Sequence, residues 1–261
     1  MSATEFLLVF LSISYVVGTP AYIFFRNRMG KKKGNTHPIR FPKAKVFKVT
    51  AINILLVILV STNFFALLLS VLLRGFLPTP GIVLAISLFV ATTCMAFYGS
   101  GIYTTSIVLE GYTLPELRDI KAFKTQFIAT HLFHGPISHI LIYSGFQFGL
   151  LALSYLDTVI PIRHRLTTPI LLLAALGTLL GFIFALSQIY NRTHPYQLIS
   201  GIICLSGLAI LMAMQTGVIF REPLFIFSLG FFISFCLSLS MYIVGRMYFY
   251  KEKVDWDASG Y

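Results

Sequence analysis

Charge is what this sequence has least of. Only 11% of its 261 residues are Asp, Glu, Lys or Arg, while 57% are hydrophobic and the mean hydropathy is +0.83; an ordinary soluble domain carries about 25% charged residues. Between the apolar runs no polar stretch is long enough to fold around a core of its own, so no soluble catalytic module is expected and residues 1–261 read as a single membrane domain. Cysteine is nearly absent. Cys94, Cys204 and Cys236 all fall inside apolar runs, which excludes a disulfide framework or a thiolate metal site and leaves them as small packing residues. No Asp, Glu, Lys or Arg sits near the centre of an apolar run, which argues against a proton-coupled pump. The last run has no mid-depth lysine, so a retinal Schiff base is excluded. A basic leader is missing too: Glu5 precedes the first run and the positive charges follow it, the reverse of a signal peptide, so this helix is expected in the mature protein.

What is present is a series of seven runs of the length a bilayer requires, at about 6–25, 50–73, 82–109, 132–155, 167–189, 196–219 and 224–249. The fold class is therefore all-α, a polytopic bundle of seven transmembrane helices. Sixteen of the twenty Lys and Arg residues fall on one side when the N-terminus is placed outside, and only Arg74, Arg163, Arg165 and Arg221 fall on the other. The positive-inside rule then predicts an N-out/C-in orientation. The net charge of +11 is accounted for by these flanking clusters, and nucleic acid is set aside. The first inner loop, RNRMGKKKGNTHPIRFPKAKVFK, suits an extended segment on anionic headgroups, each Lys or Arg contributing about 1 kcal/mol; His37 within it reads as solvated. The outer loops are too short to form an ectodomain. The Asn191-Arg192-Thr193 sequon falls inside and reads as unused.

Before the fourth span, Thr113 and Glu116 form a capping box around Pro115, and Leu117, Ile120, Phe123 and Phe127 recur at helical spacing opposite Arg118, Asp119, Lys121 and Lys124. This predicts an amphipathic interfacial helix. Gly145/Gly149 and Gly177/Gly181 each form Gly-x-x-x-Gly, the spacing of closely packed helices. Asn53, Asn63, Thr92 and Thr93 read as packing and hydrogen-bonding residues between helices.

Three of six histidines fall within nine residues, in KTQFIATHLFHGPISHILIYSG at 124–145. At 100° per residue His131, His134, Ser138, Ile142, Gly145 and Gly149 share one narrow face, with His139 about 80° from His131 and above Tyr143 and Gln147. The register holds only if the helix runs unbroken through Pro136. His131 and His134, at i and i+3, have the spacing to grip one metal ion. His194 opens the sixth span with Gln197 on its face, and His134 and His194 stand at similar depth. Three readings follow. The histidines are interfacial hydrogen-bonding residues of a binding or assembly protein; or His134 or His139 pairs with His194 across a b-type haem; or the inner histidines hold a metal ion.

The C-terminal half, HGPISHILIYSGFQFGLL, RHRLTTPILLLAALGTLLGF and THPYQLISGIICLSGLAIL, resembles the four-helix cytochrome-b-type membrane proteins, including cyanobacterial and plastid relatives. His164-Arg165 and His194-Pro195 match their habit of opening a span with histidine. The resemblance implies electron transfer, haem b as cofactor, His134, His139, His194 and His164 as candidate ligands, and a bacterial plasma or thylakoid-like membrane. The last span has no histidine, so one haem rather than two is implied. The reading that the residues favour is a non-catalytic binding or assembly protein whose partners are anionic headgroups and other membrane proteins; the alternatives are an electron carrier with one inner-leaflet haem and a small-molecule transporter.

Overall fold

The computed structural model describes residues 2–30, 43–109, 123–160, 168–215 and 221–251, and among these every regular element is a helix. They are α1 (Ala3–Gly30), α2 (Lys43–Leu72), α3 (Pro80–Val108), α4 (Phe123–Leu132), a π-helical turn (Phe133–Ile137), α5 (Ser138–Val159), α6 (Ile170–Tyr190), α7 (His194–Met214) and α8 (Pro223–Phe249). Seven helical spans are long and apolar enough to cross a membrane, with α4, the π turn and α5 forming one of them. The protein is thus a multi-pass helical bundle. Of the expected interfacial helix, residues 110–122 lie outside the described residues, and 123–132 are helical and run straight into α5.

Helix starts follow local chemistry. The Thr79 hydroxyl accepts from the Ile82 N–H at 3.4 Å, and Pro80 occupies the first turn of α3, where its missing N–H costs nothing. Pro195 and Pro223 begin α7 and α8 in the same way. Position in the bundle shows in how much of each span is buried. The α5 and α8 spans are 56% and 61% buried, whereas no other exceeds 33%, so these two run through the centre and the rest face lipid.

Glycines set the closest approaches. A side chain at Gly177 or Gly181 on α6 would overlap the Phe227 or Phe231 carbonyl on α8, and one at Gly230 would meet the Ala174 carbonyl in return. On α3 and α5, Gly145 faces the Thr92 carbonyl and Ala96, and Gly99 faces Leu141 and the Ser138 carbonyl. Residue numbers rise together along α6 and α8 and in opposite senses along α3 and α5, as they must if each span crosses once. Gly149 differs: it lies at ordinary distance from the Phe64 ring, so only the first glycine of that pair makes backbone contact. Phe146 and Phe184, with ring centroids 5.1 Å apart, join these pairs at mid-depth to Phe64 at 4.8 Å and Phe231 at 5.3 Å.

Candidate functional site

Pro136 controls the local geometry. Lacking an N–H, it cannot donate to the preceding turn, and the helix widens there: the Ser138 N–H reaches back to the Phe133 carbonyl, a five-residue step. The Ser138 hydroxyl donates to the His134 carbonyl. His139 Nδ1 lies 2.6 Å from the Gly135 carbonyl oxygen, which can only accept, so the ring carries a proton on Nδ1 and its neutral form has its lone pair on Nε2.

The wide turn also changes which histidines are neighbours. On an unbroken α-helix His134 and His139 would point about 140° apart. Instead both pack edge-on against the Tyr103 ring of α3, at centroid distances of 4.9 and 5.2 Å. The register through Pro136 is not that of an unbroken α-helix, because of the extra residue in the π turn; His139 still lies beside Tyr143, at 5.7 Å, as its spacing within α5 predicts. His131 stands 6.3 Å from His134, ring to ring; among the described residues no three His, Cys, Asp or Glu side chains converge as a metal site. His194 packs edge-on against Tyr242 of α8 at 5.1 Å. His164 and His37 lie outside the described residues.

Between α1, α2, α3, α5 and α6 lies a cavity of about 810 Å³, within the range of small-molecule sites, which run from about 300 to 1,000 Å³. Its wall is graded. Toward mid-depth it includes Val60, Phe64, Phe146 and Phe184 together with Tyr15, Ser61 and Thr93; toward the ends of α3 and α6 it carries Asn53, Tyr103, His139, Tyr143, Ser187 and Asn191. The polar end is internally bonded: Tyr143 Oη and Ser187 Oγ are 3.0 Å apart, and Asn191 Nδ2 donates to both at 3.3 and 3.4 Å. The sequon asparagine is therefore engaged inside the fold. No Asp, Glu, Lys or Arg occurs among the described residues of the wall.

A b-type haem held by two histidines needs imidazoles on opposite sides of one cavity. Among the described residues this wall supplies one, His139, while His194 sits against Tyr242. His139 and His194 therefore do not face each other across this cavity, and His164 lies outside the described residues. What meets across α5 and α7 is Gln147 with Gln197, Nε2 to Oε1 at 2.6 Å, with the Ser200 hydroxyl donating to Gln147 Oε1 at 3.1 Å.

No protein-family model, curated protein or solved structure matches this chain. The likeness to cytochrome-b-type proteins stands on its quoted histidines alone.

At the opposite end of the bundle is a cluster that spacing did not reveal. The Arg74 guanidinium, just beyond α2, lies 2.8 Å from Asp157 and 3.6 Å from Glu222, and donates to the Ile160 carbonyl and the Thr4 hydroxyl, both at 2.9 Å. The other carboxylate oxygen of Asp157 accepts from the Leu224 and Phe225 N–H groups, capping α8 from another helix. Glu5 accepts from the Thr168 N–H at 2.7 Å. Asp157 is fully buried, and every bond it makes is structural. The available signal was that Glu5, Arg74, Asp157 and Glu222 all fall at span ends on one side, a pattern visible only once the spans are aligned by depth.

Proposed function

We propose that this chain is a non-catalytic binding protein of the membrane, oriented N-out/C-in, that holds a hydrophobic molecule from the bilayer in the cavity between α1, α2, α3, α5 and α6. The observation that carries the reading is that cavity: about 810 Å³, aromatic at mid-depth and polar at one end. Its rim includes Leu59, Phe97 and Leu186, which are 38%, 42% and 48% exposed on the lipid-facing perimeter, so a molecule dissolved in the bilayer has a route in from the side. The basic inner loop, with its attraction to anionic headgroups, would hold the cavity's polar end at the inner interface, where other membrane proteins have access to it.

The test is extraction and mass spectrometry of the protein purified in a mild detergent. A stoichiometric apolar molecule, released on denaturation and diminished when Val57→Trp fills the cavity, is the expected result. Occupancy unaffected by Val57→Trp would count against the site. An absorption spectrum of the same sample addresses the electron-carrier alternative: the binding reading expects no Soret band after growth with adequate haem, and a Soret band lost in His139→Ala would replace it with a cytochrome.

A further inference from the structure

Resting on that binding reading, we infer that Tyr15 of α1 anchors the occupant by donating a hydrogen bond, at hydrocarbon depth, to a carbonyl oxygen of an apolar ketone or quinone. Tyr15 belongs to the cavity wall and is only partly covered. Its ring packs on Phe146 and Phe184 at centroid distances of 6.3 and 5.8 Å, so its position is fixed before anything binds. Among the described residues its hydroxyl has no hydrogen-bond partner, and it is open to the cavity rather than sealed in the packing.

A tyrosine differs here from the serine and threonine that share its depth. The Thr93 hydroxyl donates to the Phe89 carbonyl of its own helix at 2.7 Å, and a serine in a helix has the carbonyl one turn back within the same reach. The phenol stands too far from its own backbone for this, so only another helix or a bound molecule can satisfy it. An unpaired O–H in apolar surroundings costs free energy, and a bound acceptor returns it.

Depth and route name the acceptor. Thr4 and Glu5 belong to the polar cluster at the outer end of the bundle. Tyr15 lies about 15 Å further along α1, half-way through a hydrocarbon core of about 30 Å. The ester carbonyls of bilayer phospholipids stay at the headgroup boundary, away from this level. A molecule that enters from the side must also carry its polar group through hydrocarbon. A hydroxyl or amide takes with it a donor that hydrocarbon leaves unmatched, at a large cost. The oxygen of a ketone or quinone only accepts, and a phenol donates more strongly than it accepts, so the two are matched.

The experiment uses the full chain in nanodiscs of ether-linked phosphatidylcholine, which has no ester carbonyl, with a diazirine-bearing alkane as photoreactive probe. Two competitors of equal length are compared, a hydrocarbon and a ketone with its carbonyl at mid-chain. The expected result is that the probe labels peptides of the cavity wall and that the ketone displaces it at about three- to tenfold lower concentration than the hydrocarbon, the worth of one hydrogen bond. In Tyr15→Phe, which keeps the ring packed on Phe146 and Phe184, the two competitors should become equal while displacement by the hydrocarbon is unchanged, which shows the cavity intact. The ketone's advantage should persist in ester-linked discs; its loss there would give the site to the ester carbonyls of bilayer lipid and overturn the ketone assignment. Equal displacement in the wild type, or an advantage that survives Tyr15→Phe, overturns the anchor while leaving the cavity reading in place. Failure of the probe to label cavity peptides, or labelling indifferent to Val57→Trp, overturns the cavity reading itself.

Discussion

Arg74 joins more than one helix end through a single side chain. It is 11% exposed and ties α1, α2, α5 and the start of α8 together through Thr4, Asp157, the Ile160 carbonyl and Glu222. Removing it leaves Asp157, with no solvent exposure, facing Glu222 without a cation. Breaking a buried pair in this one-sided way costs about 3–5 kcal/mol, so Arg74→Ala should unfold at a clearly lower temperature in detergent, or fail to accumulate as a monodisperse peak. Pairing Arg74→Met with Asp157→Asn should cost less than the two single changes added together, because the second removes the charge that the first orphans. An unchanged unfolding midpoint for Arg74→Ala would show that the cluster is not an anchor. In the sequence each of these residues, alone, is an ordinary helix-end charge; their meeting depends on four span ends, those of α1, α2, α5 and α8, arriving at one place.

At the scale of the element, the glycine seams and the π turn make opposite demands on a substitution. Gly181→Leu would drive a side chain into the Phe231 backbone, and α6 and α8 would separate; the expected outcome is loss of the folded species. Gly101→Ala and Gly245→Ala, where a new methyl meets nothing within 4 Å, should be neutral or stabilising by about 0.5–1 kcal/mol. Similar losses at all three positions would mean that helix propensity, rather than contact, governs them. Pro136→Ala restores the missing N–H and allows the π turn to relax to α-helix. His139 would then rotate away from Tyr103, and retention of the copurifying apolar molecule should fall as it does in Val57→Trp. The Gly-x-x-x-Gly spacing was legible in the sequence because it depends on one helix only. The register of the histidines was not, because a single inserted residue per turn rotates everything on one side of Pro136 relative to the other.

For the whole molecule, orientation is the most direct prediction. In a background with Cys94, Cys204 and Cys236 replaced, Ser2→Cys should react with a membrane-impermeant maleimide in intact cells, and Lys251→Cys only after the membrane is opened. Reaction in the reverse order would invert the bundle and place the cavity's polar end outside. The binding reading predicts a further whole-molecule effect: the apolar molecule released on denaturation, added back to protein stripped of it, should raise the unfolding temperature, since a ligand that binds only the folded state stabilises it by mass action, and the Val57→Trp variant should show no such rise.

The sequence by itself determined the seven spans, the helical class and three of the glycines through which helices touch, Gly145, Gly177 and Gly181, because bilayer thickness and helix period act on one segment at a time and need no knowledge of its neighbours. Tertiary structure alone decided that α5 and α8 run through the centre, that Gln147 meets Gln197, that His139 lines a cavity while His194 packs on Tyr242, and that four scattered charges close one end of the bundle. Those are facts about which residues, far apart in the chain, reach the same depth and face one another. A helix's own pattern sets depth, but facing is set by packing against the other helices, and here also by one proline that turns the histidines onto Tyr103.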